Sequence, residues 1–227
     1  MKRIKIFVLA TLVSFALMYF SYLPVIGVLG RILVLFSTLT HEMGHGLTAI
    51  LMGGDFGKFV IHWDGSGLTS SFGNFGRLAQ GAIAAGGLIG PSCAAALLFW
   101  SARGSDSKLK TATRIFGLGL FVVGVLTARS IWALVFTVGL GALLLFLASK
   151  WNRTKLESLM VFIGVQLGLS VFTRADYLFT QEAGPDLPSD VANMASALFL
   201  PYWFWGIVCG LFSVAVLLWG CRCYIKD

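Results

Sequence analysis

Five residues near the front of the chain could do chemistry together. His41-Glu42-Met43-Gly44-His45 has the pattern HExxH. On a helix, residues four apart share a face, so His41 and His45 can both aim a ring nitrogen at one zinc ion. Glu42 lies beside them, within reach of a water on that ion. Zinc lowers the pKa of such a water to about 7, and a carboxylate that takes its proton leaves a hydroxide able to attack a carbonyl. The pentapeptide also turns up by chance. Here chance is a poor explanation, because the chain has only 3 His in all and two of them fall within this run. The run also lies inside an apolar stretch, where each ionisable group costs about 2.5–3.5 kcal/mol. A metal would offset that cost; the plain alternative is a structural polar cluster.

Catalytic zinc takes three protein ligands and keeps a position for water. The third ligand must come from elsewhere, and the candidates are His62, Asp176, Glu182, Asp186 and Asp190. His62 stands between Ile61 and Trp63 in a strand-like stretch, where its ordinary reading is a surface or interfacial histidine. Asp190 follows Pro188-Ser189 and opens a short helix, where its ordinary reading is an N-cap.

The elements that must position these groups follow from composition. Of 227 residues, 57% are apolar and 12% charged, and the mean hydropathy is +0.86. A soluble domain carries about 25% charged residues, and a disordered chain is excluded by the same comparison. At about 20 residues per crossing, the length admits six or seven helices. The expectation is an all-α polytopic membrane protein with about six to seven transmembrane helices, forming one membrane-embedded domain over 1–227. The apolar runs are about 4–23, 31–53, 78–101, 111–128, 130–148, 156–172 and 202–221. The first, behind Lys2, Arg3 and Lys5, reads as a retained helix because no small-x-small cleavage site follows it. Pro24 and Gly27–Gly30 read as a turn, and 103–110 as a loop.

Two inserts interrupt the helices. Residues 54–76 read as a small β-hairpin after the HExxH helix, with a Gly-rich turn at Asp64–Gly67. Residues 173–200 read as an acidic loop, 173–189, and a short helix, 190–200, stopped by Pro201. Four crossings separate the two inserts. An even number returns the chain to the same face, so Asp190 and the HExxH helix can meet.

The net charge is +7, but the cations sit in short loops, where they anchor headgroups and set orientation. No basic patch with interleaved aromatics points to nucleic acid. Counting charge by face puts Lys58, Arg77, Arg129 and Arg174 with the site, joined by Lys2, Arg3 and Lys5 if the first helix crosses. Ten cations stand opposite, so the count leaves orientation open. Cys93 and Cys209 lie within apolar runs, against a disulfide framework. Cys221 and Cys223 end the last helix, where a lipidation site is the alternative to inert thiols.

Thr40–Gly54, with its histidine pair followed by Gly53-Gly54, resembles the site-2 protease family of intramembrane zinc metalloproteases, most of all its compact bacterial branch. Ala85–Pro91 is similar to that family's glycine-proline helix motif. Ser189-Asp-Val-Ala-Asn193, ahead of Pro201 and Trp205, is similar to its acidic second motif. The likeness runs from about Pro24 to Trp205. It implies Zn2+ held by His41, His45 and Asp190, with Glu42 as the general base. Val191 follows Asp190 where better-known members have Gly, so Asp176 stays a rival ligand. Asn193, one turn on, is a candidate for bonding substrate or a ligand carboxylate; its ordinary reading is a polar residue on a wet face.

The resemblance further implies an intramembrane endopeptidase of a bacterial cytoplasmic membrane. Its partners would be the bilayer and a transmembrane protein substrate that unwinds locally, with no nucleic acid. The hairpin offers an edge strand to pair with that substrate, and prolines over 60–63 are expected to abolish cleavage without removing zinc. The competing readings are a non-proteolytic membrane protein on the same scaffold, binding a helix or sensing metal, and a small ion transporter. Glu42 counts against the first, and the lack of internal repeat symmetry against the second.

Overall fold

The computed structural model describes residues 2–20, 22–173, 175–184 and 187–226. Arg174 and Asp186, both weighed above, fall outside the described residues. The chain is helical almost throughout: α1 Lys2–Tyr19, α2 Pro24–Leu51, α3 Arg77–Arg103, α4 Asp106–Thr127, α5 Ile131–Lys150, α6 Arg153–Thr173, α7 Asp190–Leu198 and α8 Tyr202–Ile225. Six of these, α2 to α6 and α8, are long and apolar enough to cross a membrane. The expected polytopic all-α architecture is borne out. α1 packs along α6 and falls outside that group of six, with three cations in its first turn.

The hairpin also forms as expected, with β1 Asp55–Ile61 antiparallel to β2 Gly67–Phe72. Gly65 turns the chain at its tip with φ +92°, and Gly53 leaves α2 with φ +81°. Both are left-handed conformations that a side chain disfavours. Asp64 accepts hydrogen bonds from the Ser66 N–H and hydroxyl at 2.9 and 2.7 Å. These hold its carboxyl below the ordinary carboxylate range.

Several boundaries differ from the sequence reading. Pro24 and Gly27–Gly30 are not a turn but the opening of α2, with Pro24 in the first turn. Proline needs no N–H partner there, and its fixed φ suits a helix start. Most of the expected 103–110 loop is helix, because Ser105 caps α4 by accepting from the Lys108 N–H. The described residues of the expected 173–189 loop are largely structured. They form a 3-10 turn, Ala175–Phe179, and a miniature hairpin, β3 Glu182–Gly184 with β4 Leu187–Pro188.

α2 and α3 cross closely enough for backbone contact. A Cβ added to Gly44 would strike the Gly86 carbonyl, and one on Gly90 would come within 2.6 Å of the Thr40 carbonyl. Small residues allow this approach where lipid gives no hydrophobic drive. At the far end, Arg3 donates to the carbonyls of Lys226 and Arg103, and Lys2 to Thr154. The N-terminal cations therefore join the ends of α3 and α8 and the start of α6. The charge count joined them to the site's face only if the first helix crosses; these bonds and the antiparallel run of α2 against α3 put Lys2 and Arg3 at the other end of the bundle. All four cysteines are free thiols.

Candidate metal centre

α2 brings His41 and His45 onto one face, as the four-residue spacing requires, with Nε2 atoms 3.2 Å apart. Asp190 approaches from the first residue of α7. Its Oδ2 lies 3.1 Å from His41 Nε2 and its Oδ1 3.4 Å from His45 Nε2. The N-cap role foreseen for Asp190 is taken by Ser189, whose hydroxyl accepts from the Ala192 N–H. That leaves the Asp190 carboxylate free to face the imidazoles. Burial opposes its ionisation, the two imidazoles outweigh this, and the carboxyl is held well below the ordinary range.

The remaining sequence candidates fall outside this trio. His62 and Glu182 are exposed. Asp176 sits in the 3-10 turn and lines the cleft in front of His41 and Glu42. Among the described residues, His41, His45 and Asp190 are the one group of three that offers converging ligand atoms, all within 4.8 Å of one another. Asn193 is exposed on α7.

The donor set fits a cation. His45 Nδ1 lies 2.8 Å from the Ile83 carbonyl, which can only accept, so Nδ1 carries a proton and Nε2 is the nitrogen left to bind an ion. Such a contact fixes the tautomer of metal-binding histidines. Asp190 Oδ2 is buried and, beyond its 3.1 Å approach to His41 Nε2, meets no hydrogen-bond partner. Two imidazoles and a carboxylate are the ligand types that zinc accepts. A Cβ on Gly87 would collide with the His45 ring, so α3 fixes that ring from behind. Sequence reasoning did not assign this task to Gly87, although its place in the glycine-proline motif was a signal. Pro91 lines the cleft one turn later, and it has no N–H to give the Gly87 carbonyl.

Glu42 is buried at 4% exposure and lines a cleft of about 350 Å3 with His41, Gly67, Asp176 and Tyr177. The hairpin closes over it. Thr69 donates to the Glu42 carbonyl at 3.2 Å, Thr38 donates to the Gly65 carbonyl at 2.7 Å, and a Cβ on Gly67 would lie 2.5 Å from Glu42 Oε1.

A membrane-embedded helical bundle with an HExxH pair and a distal aspartate converging at mid-helix is the architecture of an integral-membrane metallopeptidase. Residues 8–220 match the Peptidase M50B-like family, and the chain belongs to it. This bears out the resemblance to site-2 proteases. No curated protein and no solved structure matches the chain.

Proposed function

We propose that the chain is a zinc-dependent intramembrane endopeptidase that hydrolyses a peptide bond in or beside a transmembrane segment of another protein of a bacterial cytoplasmic membrane. The observation that carries this reading is the convergence of His41, His45 and Asp190 in the cleft that buries Glu42. His41, His45 and Asp190 would hold the ion. When bound, zinc polarises a carbonyl and makes water acidic enough to lose a proton near neutral pH. Glu42 takes the proton of the attacking water and returns it to the leaving amine nitrogen as the C–N bond breaks. A buried carboxylate suits that exchange, and a pure metal sensor or helix binder has no use for it.

The free edge of the hairpin favours an extended substrate, but not at the strand first expected. On β1, the Phe59 carbonyl accepts from the Arg129 N–H at 2.9 Å. Ile61 donates to the Ser130 hydroxyl and accepts from it. The α4–α5 connection thus occupies that edge, and prolines over 60–63 would damage this anchor rather than test substrate pairing. The same bonds fix the parity of the ladder. Phe59 faces Thr69 and Ile61 faces Gly67, and their polar groups point away from each other. The N–H and C=O groups of Gly67 and Thr69 therefore point to the outer edge of β2, next to Glu42. An unwound segment laid there would gain main-chain hydrogen bonds at the cleft.

The deciding experiment is Glu42→Gln. The purified variant should keep stoichiometric zinc and lose about 10²–10⁴-fold in proteolysis, the usual worth of a general base. Undiminished cleavage by this variant would remove Glu42 from the mechanism.

A further inference from the structure

The largest charged patch lies at the end of the bundle away from the candidate metal centre. Arg3 donates to the carbonyls of Lys226 and Arg103, Lys2 to Thr154, and Arg153 to the Gly104 carbonyl at 3.1 Å. These bonds gather the start of α1, the α3–α4 connection, the start of α6 and the end of α8 at one place. The end of α5 joins them through its short connection to α6. Twelve of the 17 Lys and Arg stand on these segments. α1 and α4 bring three each, the α5–α6 connection brings Lys150, Arg153 and Lys155, and Arg103, Arg222 and Lys226 complete the group. Most are exposed. The two described acids among them are already paired, Asp106 with Lys110 at 2.9 Å and Glu157 with Arg153 at 3.4 Å.

The end that carries the site is poor in cations. Lys58 lies in the hairpin, Arg77 opens α3 and Arg129 links α4 to α5. Arg31 belongs with them, because its guanidinium donates to the Asp64 carbonyl at the hairpin tip at 2.7 Å. The sequence count had set Arg31 among the ten cations opposite the site, and this bond moves it to the site's side. Asp55, Asp64, Asp176 and Glu182 also lie at this end. The longest connections here, 52–76 and 174–201, are far shorter than the roughly 60 residues below which Lys and Arg set orientation. The count left open by the sequence therefore becomes one-sided once the helices are packed.

A cytoplasmic leaflet rich in anionic lipid holds Lys and Arg at its surface, and the membrane potential opposes their passage outward. We propose that the cation-rich end of the bundle is seated on the anionic phospholipid headgroups of the cytoplasmic leaflet, so that the cleft of His41 and Glu42 opens on the extracytoplasmic side. The depth of the site agrees with an outward opening. Gly87, which packs on His45, stands ten residues from the start of α3 and sixteen from its end, about 15 and 24 Å along the helix. Gly67, Asp176 and Ala183, from the hairpin end, line the cleft. Resting on the peptidase reading above, the cut then falls in the outer half of the bilayer, and the fragment it releases is the extracytoplasmic one.

The test expresses the full chain in bacterial cells and labels it with a membrane-impermeant maleimide before and after lysis. The background is Cys221→Ser with Cys223→Ser, which leaves Cys93 and Cys209 inside α3 and α8. Single cysteines are then placed at exposed positions of each end, Asn74→Cys and Glu182→Cys beside the site and Ser107→Cys opposite. The first two should label in intact cells as fully as in lysed ones, and Ser107→Cys only after lysis. The reverse pattern, or labelling of both ends in intact cells, overturns the orientation. A second readout tests the headgroup contact on purified protein. In phosphatidylcholine vesicles, replacing about one-third of the lipid with phosphatidylglycerol should raise the thermal unfolding midpoint by about 4 °C or more. Substituting Gln for Lys108, Lys110, Lys150 and Lys155 together should at least halve that rise. A midpoint indifferent to phosphatidylglycerol overturns the docking surface. Neither readout needs turnover, so the expected results from a chain that cleaves no substrate would retain the orientation and refute the peptidase reading.

Discussion

Gly87→Ala gives the sharpest test of how α3 shapes the candidate metal centre. The new methyl group would be built into the His45 imidazole. Backbone on both sides prevents an easy escape, since Gly86 and Gly90 bring α3 against the main chain of Gly44 and Thr40. The ring must therefore move, and moving it breaks the 2.8 Å contact with the Ile83 carbonyl. That bond is worth about 1 kcal/mol net, and overpacking adds about 1–3 kcal/mol. The total of roughly 2–4 kcal/mol corresponds to about a 30- to 1,000-fold rise in the zinc dissociation constant. Competition against a chromophoric chelator measures this in detergent-purified protein. Gly119→Ala is the matched control, because a Cβ there meets nothing within 4 Å. Helix content and elution volume establish that Gly87→Ala still folds. A folded Gly87→Ala protein that binds zinc as tightly as the control would refute the argument that α3 fixes His45.

Asp190→Ala should abolish stoichiometric zinc, whereas Asp176→Ala should retain it; the reverse pattern in metal analysis would transfer the third-ligand role to Asp176. Thr69→Pro removes an N–H at the outer edge of β2 without touching the ladder to β1, so it should stop cleavage of a membrane substrate and leave zinc content intact. Thr69→Val, which loses only the hydroxyl bonded to the Glu42 carbonyl, separates the two effects by retaining most of the activity. Equal cleavage by Thr69→Pro and Thr69→Val would remove strand pairing from the reading.

Much of the design is local and was legible in the chain. Apolar runs near bilayer length can only be helices, because lipid offers no partner for open backbone groups. The four-residue spacing of His41 and His45 fixes their common face through helical geometry alone. The Asp64–Gly67 turn carries the residues a hairpin tip needs. Where helices begin was less legible, since Pro24 and the glycines after it are turn signals in water but open α2 here.

Tertiary structure decided the rest. Asp190 lies far from His41 in sequence, and four crossings must return the chain before they can meet; only packing of α7 on α3 brings Asp190, and not Asp176, into one group with the two histidines. Ser189 takes the cap in its place, and nothing in the residue types alone distinguishes those neighbours. Which edge of the hairpin stays open depends on Arg129 and Ser130, in a connection with no visible tie to β1. A sequence sets periodicity and composition along one line, whereas ligand sets, open edges and cavities are distances between lines, and these exist only once the helices have packed.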